Sequence, residues 1–248
     1  MLEPTHDLPL NESCATALGV RVERRCFFAV SAAAIAAAVA PVGALARRTR
    51  ESRAPLTYDE FLAEAVPMAK KLVGDATLFG QDQYLLTLAA FALRVPKIAK
   101  PELRPTGKGT AIGGNDTPDG CPFTVLHWTM DPGTKIGIHP HIYGNVVTLG
   151  LEGEALIQNF ETVEPRDYES KKSFKVRRTV EQLLLPGHVN VVNLDRNYMH
   201  GFTAGPAGVR FVDITTRIRE KRPTPNLELA GKPLDPLGTL FEATWVHT

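Results

Sequence analysis

The sequence predicts a mainly β protein in which a barrel follows an N-terminal helical segment. From Cys121 onward, short runs of alternating apolar and polar residues are separated by turns at roughly ten-residue spacing, which is typical of a sandwich or barrel. Residues 57–99 instead repeat their apolar side chains at helical spacing. The chain has 248 residues, 44% of them hydrophobic and 22% charged. This composition suits one domain with a full-sized core.

Residues 1–46 have the organisation of an export signal. Basic residues precede an apolar, alanine-rich stretch that ends in Ala44-Leu45-Ala46, which is the order of regions in a secretory signal. Within it, Arg24-Arg25 followed by Phe27-Phe28 resembles the twin-arginine motif, with Glu23 where Ser or Thr is usual. That resemblance implies a protein that meets the export machinery already folded, often with its cofactor seated.

Cleavage of the signal is expected near Ala46, and residues 47–56 are predicted to form a linker. The alternative is an uncleaved membrane anchor, because the apolar stretch is about long enough to span a bilayer. The protein is therefore expected to be periplasmic or exported, and membrane-anchored if the signal is retained. Cleavage would remove Cys14 and Cys26 and leave Cys121 alone, which excludes an internal disulfide.

Two helices are predicted within residues 57–99. The first begins after Thr57, which we assign as the N-cap, and contains Pro67, which should bend or interrupt it. The second covers residues 82–95 and is apolar around much of its circumference, so we expect it to pack on a large surface. Residues 100–120 are rich in glycine and proline and are predicted to form a loop.

The barrel is predicted over residues 121–220. Turns at Glu152-Gly153-Glu154 and Pro186-Gly187 each separate two strands, and "GVRFVDITTRI" gives a further strand. Residues 221–248 are rich in proline and are expected to wrap the barrel as an irregular tail.

Two of the seven histidines share one face of a predicted strand. Residues i and i+2 of a strand project to the same side, so His139 and His141 can approach one ion together. Imidazole nitrogens bind a metal at about 2.0–2.2 Å. The alternative interpretation is a pair of solvated histidines at the rim of a sheet.

The spacing around this pair resembles the first motif of the cupin superfamily. Gly133, the two histidines and Gly153 give G-x5-H-x-H-x11-G. The resemblance implies a double-stranded β-helix barrel, or jelly roll, with a metal in its mouth. Val146 stands where that motif has a glutamate ligand. Either the site binds no metal, or it uses three histidines and no carboxylate.

Residues 121–218 also resemble the thiol dioxygenases of the cysteamine dioxygenase and plant cysteine oxidase type. The match includes the Pro-Gly turn and H-x-H, and then His200, the turn Gly205-Pro206-Ala207 and the strand end Val212-Asp213-Ile214. That family binds iron through three histidines and lacks the glutamate, in agreement with Val146. Among the remaining histidines, His188 is interpreted as a solvated turn residue and is the substitute ligand if His200 is not one.

The resemblance implies a ferrous ion, Fe(2+), held by three ligands: His139, His141 and His200. Three histidines alone do not exclude Mn, Ni or Zn. Asp213 matches the family's aspartate and is predicted to orient or deprotonate the substrate; the alternative is a surface carboxylate paired with Arg210 or Arg217. Tyr143 and Tyr198 flank the ligands and are predicted to donate hydrogen bonds to bound oxygen, or else to pack at the barrel mouth.

Three functions fit these residues. The first is a non-heme iron dioxygenase that uses O2 to oxidise a small-molecule thiol or the N-terminal cysteine of a peptide to a sulfinate. The second is a metal-binding cupin of other chemistry, such as another oxygenase, an isomerase or a decarboxylase. The third is a non-catalytic binding or sensory cupin. A net charge of +1 gives no support for a nucleic-acid partner.

Overall fold

The computed structural model describes residues 54–107, 109–164, 167–220 and 223–247. The predicted export signal over residues 1–46 and most of the predicted linker lie outside these residues. Within the described part of the chain, neither helix has both the length and the apolar character needed to cross a membrane.

In the described part of the chain, two helices precede the strands: α1, Tyr58–Gly74, and α2, Leu78–Ala92. Thr57 caps α1 as predicted, because its hydroxyl accepts from the Glu60 N–H while the Glu60 carboxylate accepts from the Thr57 N–H. The helix continues through Pro67, so an interruption there is wrong. Packing of its buried face offsets the single backbone hydrogen bond that proline removes.

Ten strands follow the helices within the described residues. Their bounds are β1, Arg104–Gly107; β2, Thr110–Asn115; β3, Phe123–Met130; β4, Lys135–Pro140; β5, Gly144–Thr162; β6, Phe174–Leu184; β7, Val189–Val192; β8, Met199–Arg217; β9, Asn226–Ala230; and β10, Leu240–Val246. All of the strand pairs are antiparallel.

Strands β5 and β8, of 19 residues each, pair with one another along most of their length and belong to two sheets. In the first sheet, the strand order is β1-β2-β3-β8-β5-β7. In the second sheet, the strand order is β8-β4-β9-β10-β6-β5, and the pairing of β5 with β8 closes this sheet into a barrel. Strand β5 continues through Glu152-Gly153-Glu154, so the predicted turn that separates two strands there is wrong. The register of β5 against β8 shifts on either side of Gly153, where a β-carbon would lie 2.1 Å from the Gly208 carbonyl oxygen. Only glycine allows that approach. The architecture is the mainly β jelly-roll barrel, with an N-terminal helical segment, that the sequence predicts.

Two predicted boundaries are wrong. Strands β1 and β2 lie within the predicted loop over residues 100–120, and β9 and β10 lie within the predicted irregular tail over residues 221–248. Strand β1 is exposed at every position, so it carries no apolar alternation that could mark it as a strand. Strand β10 does alternate between buried and exposed residues, but the prolines before it indicated irregular structure instead.

The two helices pack on the outer face of the sheet that contains β3, β5, β7 and β8. The shared core joins apolar side chains from both layers: Phe61, Leu62, Leu72, Leu85 and Leu88 from the helices, and Phe123, Val125, Val147, Leu149, Val189, Val212 and Ile214 from the strands. Helix α2 was expected to pack on a large surface because it is apolar around much of its circumference, and the sheet provides that surface.

Polar contacts fix α2 to the loop between β7 and β8. Gln81 Nε2 donates to Asp195 Oδ2 at 2.7 Å, and Asn193 Nδ2 donates to Asp82 Oδ1 at 2.9 Å. Arg196 forms an ion pair with the same Asp82. The helical segment is therefore attached to the loop that leads into strand β8.

Replacing Tyr84 with phenylalanine is expected to lower the free energy of unfolding by about 1–2 kcal/mol. The Tyr84 hydroxyl is buried 2.6 Å from Thr216 Oγ1, so its removal leaves a buried polar atom without a partner. Urea unfolding measures the change. The matched control is Tyr58→Phe, which removes a partly exposed 3.2 Å bond to the Asp116 carbonyl and should cost less than about 0.5 kcal/mol. Equal losses of unfolding free energy in the two variants would contradict the packing of the helices on the sheet through this buried bond.

Candidate metal centre

The three predicted histidine ligands come together on two neighbouring strands. His139 of β4 and His200 of β8 are directly opposed partners in the antiparallel ladder, after an irregularity in register that follows Ile136. His141 follows β4, and its backbone N–H donates to the Tyr198 carbonyl at 2.7 Å. Pairing of β4 with β8 therefore brings together residues that the sequence keeps 59 positions apart.

One nitrogen from each ring can serve as a ligand, and these atoms all lie within 4.8 Å of one another. The ring centroids are 4.7–5.0 Å apart. His141 Nε2 and His200 Nε2 approach to 2.9 Å, so two candidate ligand atoms already face a common point. Imidazole nitrogens bind a metal at about 2.0–2.2 Å, so nitrogens this close together are candidates to share one ion.

The hydrogen bond of His139 fixes which of its nitrogens is a ligand. Its Nδ1 lies 2.9 Å from the Gly137 carbonyl oxygen. Because a carbonyl only accepts, Nδ1 carries the hydrogen and Nε2 keeps its lone pair for an ion. A backbone carbonyl in this role is usual for histidines that bind metals.

Burial keeps the three imidazoles neutral. It lowers the pKa of His139, although the bond to Gly137 opposes the change. The pKa values of His141 and His200 lie well below the usual value, because of burial first and neighbouring imidazoles second. Neutral imidazoles are the form that binds a metal.

The donor set contains imidazoles and no carboxylate. Among the described residues, the histidine, cysteine and acidic side chains that converge as a possible metal site are those of His139, His141 and His200. Val146, in place of the glutamate, is fully buried. Neighbouring Asn145 accepts from the Leu194 N–H through Oδ1 at 2.7 Å, which uses that oxygen elsewhere. Three neutral nitrogens fit iron, zinc, copper or nickel, so the residues support a metal-binding centre without selecting the metal.

Aromatic rings lie beside the histidines. The Phe202 ring is 4.7 Å from that of His200, and Phe211 stacks on Phe202 at 4.6 Å between centroids. Both phenylalanines belong to a buried cluster with Ile157 and Leu184. This side of the centre is apolar and excludes water.

Asp213 is buried, so the alternative of a surface ion pair is wrong. Its Oδ1 accepts from the Thr148 hydroxyl at 2.5 Å, while Arg210 pairs with Glu152 instead. Burial raises the pKa of Asp213 to about 7, although the bond from Thr148 opposes the increase. A carboxyl group with this pKa can accept or release a proton near neutral pH, but its catalytic role stays a prediction.

The two predicted tyrosines occupy different positions. The Tyr143 ring lies 6.3 Å from that of His141, and burial raises the pKa of its hydroxyl. The Tyr198 hydroxyl donates to Thr162 Oγ1 at 3.0 Å, and its ring packs in a second buried cluster. Tyr143 is thus beside the centre, whereas the hydroxyl of Tyr198 already contacts Thr162. Hydrogen bonding of either to oxygen stays a prediction.

Two further histidines, His127 and His188, stand apart from the centre. His127 is fully buried, and neither ring nitrogen has a hydrogen-bond partner among the described residues. Because it is buried near the positive charges of Arg210 and Lys100, its pKa falls to about 4. His188 lies in the turn between β6 and β7, with Nδ1 3.2 Å from the Leu183 carbonyl.

Two buried polar residues of β5 were not predicted from the sequence. Thr148 holds Asp213, and Asn159 is the directly opposed partner of His200 on β5. Both residues lie in the apolar stretch "NVVTLGLEGEALIQNFE". An isolated polar residue on a predicted buried face indicates a buried hydrogen bond, and this was the signal that could have identified them.

No protein-family model matches the chain, and no curated protein matches it. Solved structures match at low similarity. KdgF from Halomonas sp. has 14% identity and a TM-score of 0.34, with 47% of this chain and 86% of that chain covered. An oxalate oxidase has 16% identity and a TM-score of 0.36, with 49% of this chain and 58% of that chain covered. The cupin domain of Schizosaccharomyces pombe Cnp3 has 11% identity and a TM-score of 0.34, with 47% and 68% covered. Such values assign neither activity nor substrate to this chain.

Proposed function

We propose that this protein is a non-heme iron dioxygenase that uses O2 to oxidise a small thiol, or an N-terminal cysteine, to a sulfinate. The observation that carries the proposal is the donor set: three neutral imidazoles converge, and Val146 replaces the carboxylate ligand. The sequence around His200 and Asp213, which resembles thiol dioxygenases, supports the same assignment.

The donor set suits a thiol as substrate. Three uncharged ligands on one side of a divalent ion leave its charge uncompensated and its other positions open. When bound, ferrous iron would supply binding of a thiolate and activation of oxygen. The overall reaction, R–SH + O2 → R–SO2H, is balanced and needs no further reductant.

The chain's own residues would bind, orient and protect the reactants. Asp213, with its pKa of about 7, would accept the thiol proton and return it to the product. The Thr148 hydroxyl would hold that carboxyl group in place. The apolar side formed by Phe202 and Phe211 would exclude water. An export signal over residues 1–46 would direct this activity to the periplasm or outside the cell.

Oxygen consumption tests the proposal directly. Full-length protein loaded with Fe²⁺ without oxygen is mixed with air-saturated buffer and cysteamine, cysteine or a peptide with an N-terminal cysteine. We expect one O2 to be consumed per thiol, with a product heavier than the thiol by two oxygen atoms. Zinc-loaded protein is the matched control and should consume none. Bound iron without oxygen uptake on any thiol would favour a metal-binding cupin of other chemistry.

A further inference from the structure

His200 has polar neighbours on both sides within the sheet. Across β4 its directly opposed partner is His139, and across β5 it is Asn159. Directly opposed residues of antiparallel strands point to the same face, with β-carbons about 4.5–5.5 Å apart. His139, His200 and Asn159 therefore form one row across three strands, and two members of that row belong to the metal centre.

Two atoms in this row are buried and lack hydrogen-bond partners among the described residues. One is His200 Nδ1, the ring nitrogen that does not face His141, and the other is Asn159 Oδ1. Both side chains are fully buried. Leaving a buried polar atom without a partner is energetically costly, and the row places a potential donor beside an acceptor.

The NH2 group of the Asn159 side chain already has a hydrogen-bond partner. Its Nδ2 donates to the Val191 carbonyl at 3.1 Å. Because a carbonyl accepts only, this bond assigns the nitrogen end of the amide and leaves Oδ1 as a free acceptor. The bond from Nδ2 therefore fixes the orientation of the amide and leaves Oδ1 able to accept a hydrogen bond from strand β8, which carries His200.

The geometry points to Asn159 as the positioning residue that sets the tautomer of His200. We infer that Asn159 Oδ1 accepts the hydrogen of His200 Nδ1 in solution, with or without a bound ion, so that Nε2 keeps its lone pair for the ion. Histidine ligands nearly always donate their second N–H to such a partner. The Gly137 carbonyl does the same for His139. The inference deepens the proposed function, because it rests on that metal centre.

The test compares variants that separate the acceptor from the donor of the amide. Asn159→Leu removes both, and we expect the affinity for Fe²⁺ or Co²⁺ to fall about 10–100-fold. Asn159→Asp keeps an acceptor oxygen and should stay within about threefold of the wild-type affinity. The control is Asn197→Asp, because Asn197 Nδ2 also donates to the Val191 carbonyl, at 3.3 Å, and this change removes that donor. It should leave the affinity unchanged.

The second readout uses full-length protein without metal and does not depend on activity. Long-range ¹H–¹⁵N NMR of the His200 ring should show Nδ1–H in the wild type and in Asn159→Asp, and a mixture of tautomers in Asn159→Leu. Unchanged affinity and tautomer in Asn159→Leu would overturn the inference, as would an equal loss of affinity in Asn159→Asp. If wild-type protein binds no metal, the proposed function fails, while the tautomer measurement still decides the role of Asn159.

Discussion

Replacing His200 with alanine is expected to lower bound iron from about one ion per chain to nearly none. The centre has three ligands and no carboxylate to take over the lost position, since Val146 occupies the place of the glutamate. Loss of a direct ligand should cost more than the about 10–100-fold in affinity that loss of an outer partner costs. The variant also removes the closest approach in the cluster, the 2.9 Å between His141 Nε2 and His200 Nε2.

Elemental analysis of purified protein and titration with Co²⁺ measure this loss. The matched control is His188→Ala, because His188 is a partly exposed histidine in the turn between β6 and β7, outside the cluster. It should keep full metal content. Iron that remains bound in His200→Ala would show that the three histidines do not form the centre. Loss of iron in His188→Ala would place the third ligand in that turn.

Raising the pH from about 4 to about 7 is expected to destabilise the protein through Asp213. Burial raises the folded-state pKa of this carboxyl group from 3.8 to about 7. Between these values the folded chain holds a proton that the unfolded chain releases, so the free energy of unfolding falls as the pH rises and then levels off above about 7. At 1.36 kcal/mol per pH unit, the contribution of this group reaches roughly 4 kcal/mol at most.

A difference between two proteins isolates the effect of Asp213 from other titrations. Urea unfolding of the wild type and of Asp213→Asn is measured from pH 4 to pH 8. The stability of Asp213→Asn relative to the wild type should increase across this window, because asparagine does not ionise. Asp119→Asn, a change at an exposed carboxylate, should follow the wild type at every pH. A constant difference between wild type and Asp213→Asn would show that Asp213 titrates with its ordinary pKa when folded.

Local patterns predicted the barrel and two of the three clustered histidines. Alternation and turn residues indicated most of the strands between Phe123 and Arg217, and strand parity put His139 and His141 on one side. The helices were also predicted, although α2 begins at Leu78 rather than at residue 82, because Thr77 caps it. His200 came from its resemblance to a family motif, since pairing between distant strands leaves no periodic signal in the sequence.

Buried polar residues on β5 could not be predicted. Thr148 and Asn159 act through neighbours on other strands, and only the register of β5 against β8 identifies those neighbours. A one-residue shift in that register would turn both side chains to the opposite face. Contacts of Gln81 and Asp82 with the loop before β8 likewise join positions 114 and 111 residues apart.

The separation of His141 and His200 along the chain has a consequence for the order of assembly. These two candidate ligands are 59 positions apart, and strands β5, β6 and β7 lie between them in the sequence. A nascent chain that has not yet produced β8 offers an ion two of the three clustered histidines, the pair beside Pro140. A complete set of ligands therefore arises late in folding, and stable retention of a metal reports that synthesis has passed β8 and that its pairing with β4 is in place.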